Sequence, residues 1–331
     1  MPSGLSQPSN PRPSDKLRFD KRWLIRGVFI LGAAYFIYAN LSTTILAAYA
    51  VGMKVKGAAP DCSWRRAATA FLDGSKMVDR RAAIQSKLIK KDEDVALDLE
   101  LLQPENERPF WIKKRGTNMN GEALLAYLLA EQEWDVALGE KQHVRPGDIV
   151  LDCGGHVGTF TNKALERGAA RVVGFEPDPV NAEAYRRNFK KEIADGRVTL
   201  IEQGVWDSKG KMTLTLGTTN SGTNSLVLSL PSSATVEVGV DTIDEFAAQL
   251  NLSKVDFIKM DIEGAERQAL AGASGILAKY HPRLMIDSYH RPDDMQVLPQ
   301  IIHKAWSGYS LVCGGCEIDQ GHMKPHVTFY E

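Results

Sequence analysis

The sequence predicts an α/β protein built on a doubly wound, mostly parallel sheet. Three observations predict it: the run Asp148-Ile-Val-Leu-Asp-Cys-Gly-Gly-His-Val-Gly158, which breaks into glycines and opens a helix; Val172-Val-Gly-Phe-Glu176, an apolar run ending in an acid; and the alternation of short apolar runs with helical stretches onward to residue 331. In such sheets ligands bind at the carboxyl ends of the strands, beside the point where strand order switches. The spacing puts Asp152, the glycines and Glu176 there.

Residues 1–26 are rich in Pro, Ser, Lys and Arg without an apolar period and read as a disordered basic tail. From Gly27 to Met53 there is no charged residue, and at ~1.5 Å rise per residue the run covers a hydrocarbon core of about 30 Å. A single transmembrane helix over 27–53 is the expectation, with single-pass membrane placement. Ala48-Tyr49-Ala50 has the form of a signal cleavage site, but the apolar run exceeds the roughly 7–15 residues of a secretory signal. Basic residues flank the run on both sides and leave its orientation open. Residues 54–94 read as a helical connector, and 95–147 as a hairpin, from Leu97, Leu99 and Leu101 alternating with acids, followed by a helix over Gly121–Leu138.

Over 148–331 the strands expected are Ile149–Leu151, Arg171–Phe175, Val198–Glu202, Val255–Met260, Leu284–Ile286, Tyr309–Val312 and Val327–Tyr330. The helices expected are Val157–Arg167, Pro179–Lys191, Gly264–Ala278 and Met295–Trp306. Three alternating runs, 212–216, 226–230 and 236–240, suggest a small β-excursion before the chain returns to the sheet.

Charge is nearly balanced, with 40 Lys and Arg against 41 Asp and Glu, so no nucleic-acid partner is expected. Four cysteines are too few for a disulfide scaffold. Cys313-Gly-Gly-Cys316 has redox or half-zinc spacing but lacks a second pair, and reads as two ordinary thiols beside a glycine turn.

Gly154, Gly155 and Gly158 permit a tight turn and close approach of a ligand to backbone amides. The dinucleotide fingerprint G-x-G-x-x-G is missing, and Asp152 precedes the glycines, where its charge repels a pyrophosphate and welcomes an amino group. That points to S-adenosylmethionine, with its methionine end at Asp152 and the glycine turn, which includes His156, and its ribose hydroxyls at Glu176.

Val150-Leu-Asp-Cys-Gly-Gly-His-Val-Gly158, Phe175-Glu-Pro-Asp-Pro-Val-Asn181 with Asn188, and Val255-Asp-Phe-Ile-Lys-Met-Asp-Ile-Glu-Gly-Ala-Glu266 resemble the FkbM family of methyltransferases, the third motif being the most specific. The resemblance covers about residues 105–331 and implies a class I methyltransferase fold. That fold is a seven-stranded Rossmann-like sheet with an antiparallel last strand; the family uses S-adenosylmethionine and commonly acts on hydroxyl groups. The family's first motif usually reads Gly-Ala-Asn-x-Gly; here Gly155 and His156 fill the Ala and Asn positions, so hydrogen bonds of the Asn side chain do not carry over.

Lys259, Asp261 and Glu263 cluster at the end of the fourth strand. Methyl transfer to oxygen needs an acceptor in line with the sulfonium and a group to take its proton. Asp261 is the first candidate for that base or for orienting the acceptor, Lys259 for holding the carboxylates, and Glu263 for capping the next helix or for the site itself. His290, just past the fifth strand, is a further proton acceptor candidate. No metal is assigned, because nothing in the sequence fixes a coordination number. The function expected is a membrane-anchored O-methyltransferase acting on a small-molecule, glycan or lipid-linked acceptor. The alternatives are a Rossmann-type oxidoreductase and a non-catalytic, membrane-tethered nucleoside-binding module.

Overall fold

The computed structural model describes residues 30–32, 35, 45, 48–49, 51–57, 62–138, 141–228, 233–319 and 322–331. The chain divides into residues 1–46 and Ala47–Glu331, and the second unit holds the sheet and the site. The tail expected over 1–26 lies outside the described residues.

Seven strands form the central sheet: β1 (Ile149–Cys153), β2 (Arg171–Phe175), β3 (Val198–Ile201), β4 (Phe257–Met260), β5 (Arg283–Asp287), β6 (Leu311–Cys313) and β7 (Val327–Tyr330). Their order is β6-β7-β5-β4-β1-β2-β3. Neighbours from β3 through β1 to β5 pair in parallel, while β7 runs antiparallel to both β5 and β6. This is the sheet that the sequence resemblance implies. Strand order reverses between β1 and β4, so the loops after these two strands face each other across the switch point.

Period-two alternation explains why the sheet is covered on both faces. Leu151, Val173, Phe175, Ile258, Met260, Leu284 and Ile286 enter one core cluster. Their neighbours Val150, Val172, Phe257, Met285 and Phe329 enter the other. A third cluster joins strands Leu99–Gln103 and Phe110–Lys113 to the helix Gly121–Leu138 through Leu99, Ile112, Leu124 and Leu125. The hairpin expected there gains a third strand, Ile89–Asp94.

The transmembrane expectation is corrected. Among the described residues no helix is long and apolar enough to cross a membrane. A span needs about 20 predominantly apolar residues; the described helices of comparable length are Trp64–Gln85, which carries Arg65, Arg66, Asp79, Arg80 and Arg81, and Gly121–Leu138, which carries Glu122, Glu131, Glu133 and Asp135. Most of 27–53 lies outside the described residues, and the expected single-pass placement and membrane partner are unsupported. The connector over 54–94 contains the helix Trp64–Gln85, N-capped by Ser63 and held to the next helix by the Arg80–Glu133 pair at 2.6 Å.

The reading of the Cys313 thiol is also corrected: Cys313 forms a disulfide with Cys62. The two lie 251 residues apart in sequence but their Cα atoms are 5.2 Å apart, inside the range a bridge requires. Fold topology brings them together, which local spacing does not reveal.

Smaller differences have local causes. The helix from Pro179 ends at Asn188 because Phe189 leaves the helical region at φ −116°. The expected helix Gly264–Ala278 is two, Glu266–Ala271 and Ser274–Tyr280, separated at Gly272 and Ala273. Of the β-excursion, Gly210–Thr215 and Thr235–Asp241 pair antiparallel, whereas Leu226–Leu228 is not a strand. The helix Ile243–Gln249, unforeseen above, begins at Thr242, whose hydroxyl accepts the Glu245 N–H at 3.0 Å. The hairpin of Cys316–Asp319 and His322–Pro325 was also unforeseen.

Candidate active site

The turn after β1 is one that only glycine builds at two positions. Gly154 has φ +80°, and a Cβ there would lie 1.9 Å from the Asp261 carbonyl oxygen; Gly158 has φ +90°, with a Cβ 2.1 Å from the Phe189 ring. The first contact presses the β1 turn directly against the β4 turn. His156 also has positive φ, +48°, a region that Asn and His enter more readily than most residues. The Asn-to-His departure from the resembled motif therefore keeps the backbone shape.

His156 has both backbone and side chain engaged. Its N–H donates to Glu176 Oε2 at 2.8 Å, and its Nε2 lies 2.8 Å from Ser221 Oγ. Burial, then the nearby Lys259 charge, lowers its imidazole to about 4, so the ring is neutral near pH 7. Glu176, at the end of β2, also accepts the Asp178 N–H at 2.9 Å. Burial, reinforced by Asp178, pushes its carboxyl up to about 8.

Asp152 lies beneath this turn. It is 0% exposed and does not line the cavity; Oδ2 accepts from Thr161 Oγ1 at 2.7 Å, and Oδ1 is 3.7 Å from Lys259 Nζ. Burial raises the Asp152 carboxyl against the pull of Lys259. Lys259 itself donates to the Gly154 carbonyl at 2.9 Å and stands 3.7 Å from Asp261 Oδ2. Burial opposes its charge, but Asp261 and Asp152 more than restore it and hold the ammonium above its usual range. One buried cation thus ties together the carboxylate under β1, the glycine turn and the carboxylate after β4.

Asp261 is 28% exposed. Burial works against its ionisation, yet Lys259 and then His290 hold its carboxyl below the ordinary value. Two residues on, Glu263 sits in the left-handed region at φ +53°, its carbonyl accepting from Ser225 Oγ at 2.7 Å. Burial raises the Glu263 carboxyl to about 7 although His290 opposes this. His290 reaches across from the β5 end. Its Nδ1 is 2.9 Å from Glu266 Oε1, and its Nε2 is 3.6 Å from both Asp261 Oδ1 and Glu263 Oε2. Burial disfavours the charged ring, but the Glu266 hydrogen bond and the three carboxylates raise it to about 9.

A cavity of about 360 Å³ opens over these groups. Of the sequence-derived candidates, Gly154, His156, Glu176, Asp261 and Glu263 line it; Asp152, Gly155, Gly158, Lys259 and His290 stand behind the lining and support it. Asn181, from the second motif, and Ser221 also line it, and so do Tyr127, Glu131 and Tyr289, which sequence reasoning missed. Tyr127 OH donates to Glu131 Oε1 at 2.8 Å, and His326 Nε2 is 3.1 Å from the same oxygen. A tyrosine and a glutamate four residues apart in a run of Leu and Ala were the available signal, since a buried acid on an apolar helix needs a partner. The polar loop 220–224 forms a wall, stitched down by Asn181 Nδ2 to the Ser221 carbonyl and by Asn224 Nδ2 to Asp178, each at 2.9 Å.

The cavity thus offers a carboxyl suited to a nucleoside's hydroxyls, together with a carboxylate pair able to orient or deprotonate a second molecule. The comparisons with known proteins bear on the same region. Residues 152–309 match the family model described as the methyltransferase FkbM domain. The chain is 27% identical over 159 residues to 31-O-demethyl-FK506 methyltransferase FkbM of Streptomyces tacrolimicus, covering 39% of this chain and 60% of that protein. It is 26% identical over 151 residues to 2-O-methyltransferase NoeI of Sinorhizobium fredii, covering 41% of this chain and 61% of that protein. The chain therefore spans about three fifths of the length of these curated relatives. Among solved structures, the methyltransferase FkbM from Methylobacillus flagellatus KT aligns with TM-score 0.42 and 17% identity over 80% of this chain and 62% of that one.

Proposed function

We propose that this chain, whose residues 152–309 match the family model described as the methyltransferase FkbM domain, transfers the methyl group of S-adenosylmethionine to a hydroxyl oxygen of a small-molecule, glycan or lipid-linked acceptor. The observation that carries the reading is that one cavity is lined both by the glycine turn with Glu176 and by Asp261 with Glu263. The glycine turn and Glu176 hold the nucleoside, Glu176 through the ribose hydroxyls. Asp152 serves from below, fixing the turn through Lys259 and Thr161 rather than touching the ligand.

In the transfer, a lone pair of the acceptor oxygen attacks the methyl carbon. The carbon–sulfur bond breaks with its electron pair passing to sulfur, which leaves neutral S-adenosylhomocysteine. The acceptor proton passes to the Asp261–Glu263 pair, of which Glu263, held near 7, is the better matched acceptor. Asp261, held ionised by Lys259, orients the hydroxyl. Much of the rate gain comes from holding oxygen and methyl in line.

Labelled S-adenosylmethionine should bind the full chain and fail to bind Glu176→Ala. Incubating the protein with the labelled cofactor and fractionated cell extract then identifies the acceptor by which fraction takes up label. Thermal stabilisation by NAD but not by S-adenosylhomocysteine would favour an oxidoreductase instead. Cofactor binding with no methylated product across a broad acceptor panel would favour a binding module.

A further inference from the structure

Behind the cavity wall, His290 Nε2 is buried and makes no hydrogen bond among the described residues. Its ring is 4% exposed, and 3.6 Å separates Nε2 from Asp261 Oδ1 and from Glu263 Oε2, beyond hydrogen-bond range. The other ring nitrogen is committed: Nδ1 is 2.9 Å from Glu266 Oε1, and Glu266 is fully buried and also receives the Ile262 N–H at 3.0 Å. A buried carboxylate that takes Nδ1–H fixes the ring and turns Nε2 outward, the arrangement found behind metal-ligating histidines, and an incoming ion displaces the Nε2 proton to take its lone pair. Here Nε2 faces two carboxylate oxygens. One nitrogen and two oxygens from His290, Asp261 and Glu263 lie within 4.8 Å of one another, and the two N···O separations of 3.6 Å fall inside the ~4.2 Å that donors at ~2.1 Å from one ion can span. Asp261 directs its second oxygen to Lys259, leaving Oδ1 for this point.

We infer that Asp261, Glu263 and His290 bind a divalent transition-metal ion, with Glu266 orienting the histidine. A nitrogen donor beside two carboxylates suits Mn²⁺, Co²⁺ or Zn²⁺ better than Mg²⁺ or Ca²⁺, which take all-oxygen shells. Three protein ligands leave positions open toward the cavity that Asp261 and Glu263 line. The ion's role, though not its binding, rests on the methyl-transfer reading. An acceptor hydroxyl oxygen takes an open position, its O–H bond breaks with the proton leaving to water, and the metal-held oxygen then attacks the methyl carbon as the carbon–sulfur pair passes to sulfur. With the ion in place Glu263 is a ligand and takes no proton.

The test uses the full chain freed of metal with chelator and titrated with Mn²⁺ alone, following loss of the free-ion electron paramagnetic resonance signal. The wild type should take up one ion per chain. Glu263→Gln and His290→Ala should each weaken uptake at least tenfold, and Glu266→Gln about tenfold through the lost orientation of His290. Binding of S-adenosylhomocysteine, measured on the same samples, establishes that each variant is folded and separates this claim from the methyl-transfer reading. Absence of saturable Mn²⁺ uptake by a wild type that binds S-adenosylhomocysteine would overturn the site. So would unchanged uptake in a folded Glu263→Gln.

Discussion

The Glu176 carboxylate accepts the His156 backbone N–H at 2.8 Å, so the acid that closes β2 is bonded to the turn that follows β1. Two segments twenty residues apart in sequence are thereby fixed as one surface. With its carboxyl pushed up to about 8, Glu176 is mostly neutral near pH 7, and each neutral hydrogen bond contributes about 0.5–1.5 kcal/mol, so two ribose hydroxyls together contribute about 1–3 kcal/mol. Glu176→Ala is expected to weaken S-adenosylhomocysteine by about 10- to 100-fold in isothermal titration calorimetry, and Glu176→Gln by less. Equal affinity in wild type and Glu176→Ala contradicts the placement of the ribose.

Lys259 is the only charged side chain that spans Asp152 and Asp261 among the described ion pairs. Removing one partner of a buried ion pair leaves the other uncompensated, at a cost of about 3–5 kcal/mol. Lys259→Met is expected to lower unfolding free energy by that amount in urea titrations. A loss below ~1 kcal/mol would show that Asp152 does not depend on this cation.

Gly154→Ala forces a Cβ to within 1.9 Å of the Asp261 carbonyl at a φ of +80°. The left-handed backbone costs about 1–2 kcal/mol and overpacking about 1–3 kcal/mol. The variant is expected to lose cofactor binding together with at least ~2 kcal/mol of stability, both read from ligand-dependent thermal shift. A variant with native stability and binding would mean that the two turns separate at no cost.

His143 is fully buried, stacked 5.6 Å from Phe257, and accepts the Val144 N–H on Nδ1. Burial, aided by Arg167 and Arg283, lowers its imidazole to about 3. Between that value and the unfolded one near 6.5, the unfolded chain holds a proton that the folded chain refuses, so stability is intact above ~6.5 and falls as pH drops. The slope is at most about 1.4 kcal/mol per pH unit for this group. His143→Phe should remove that part of the acid sensitivity, seen as a flatter difference in unfolding free energy between pH 7 and 5. An identical pH profile would assign the acid loss elsewhere.

Cys62–Cys313 closes a loop across 251 positions. A disulfide typically contributes about 2–4 kcal/mol by restricting the unfolded chain, and loop entropy places a loop of this length at or above the top of that range. Reduction, or Cys62→Ala, is expected to shift the urea midpoint down accordingly. No shift would mean that the helix Trp64–Gln85 is held by its other contacts alone.

The parts legible in the sequence were those whose signal is local. Val172-Val-Gly-Phe-Glu176 names its own strand and its acid, and both β2 and β7 fall on the residues expected. Thr242 and Glu245 also carried a local cap signature that would have revealed the helix after them. What escaped depends on distant segments meeting. Asp152 looked like a ligand contact because acid and glycine adjoin in sequence, but Thr161 and Lys259 claim it from other elements. Tyr127 and Glu131 enter the cavity only because their helix folds over the carboxyl ends of the strands, and Cys62 finds Cys313 only through the topology. The uncharged run 27–53 gave the strongest composition signal, but most of it lies outside the described residues, and among those no helix is long and apolar enough to cross a membrane.

The most direct test of the central claim is a crystal structure of the full chain with S-adenosylhomocysteine. The account expects the ribose hydroxyls within hydrogen-bond distance of Glu176 and the sulfur in the cavity that Asp261 and Glu263 line. A nucleoside seated anywhere outside that cavity would contradict it.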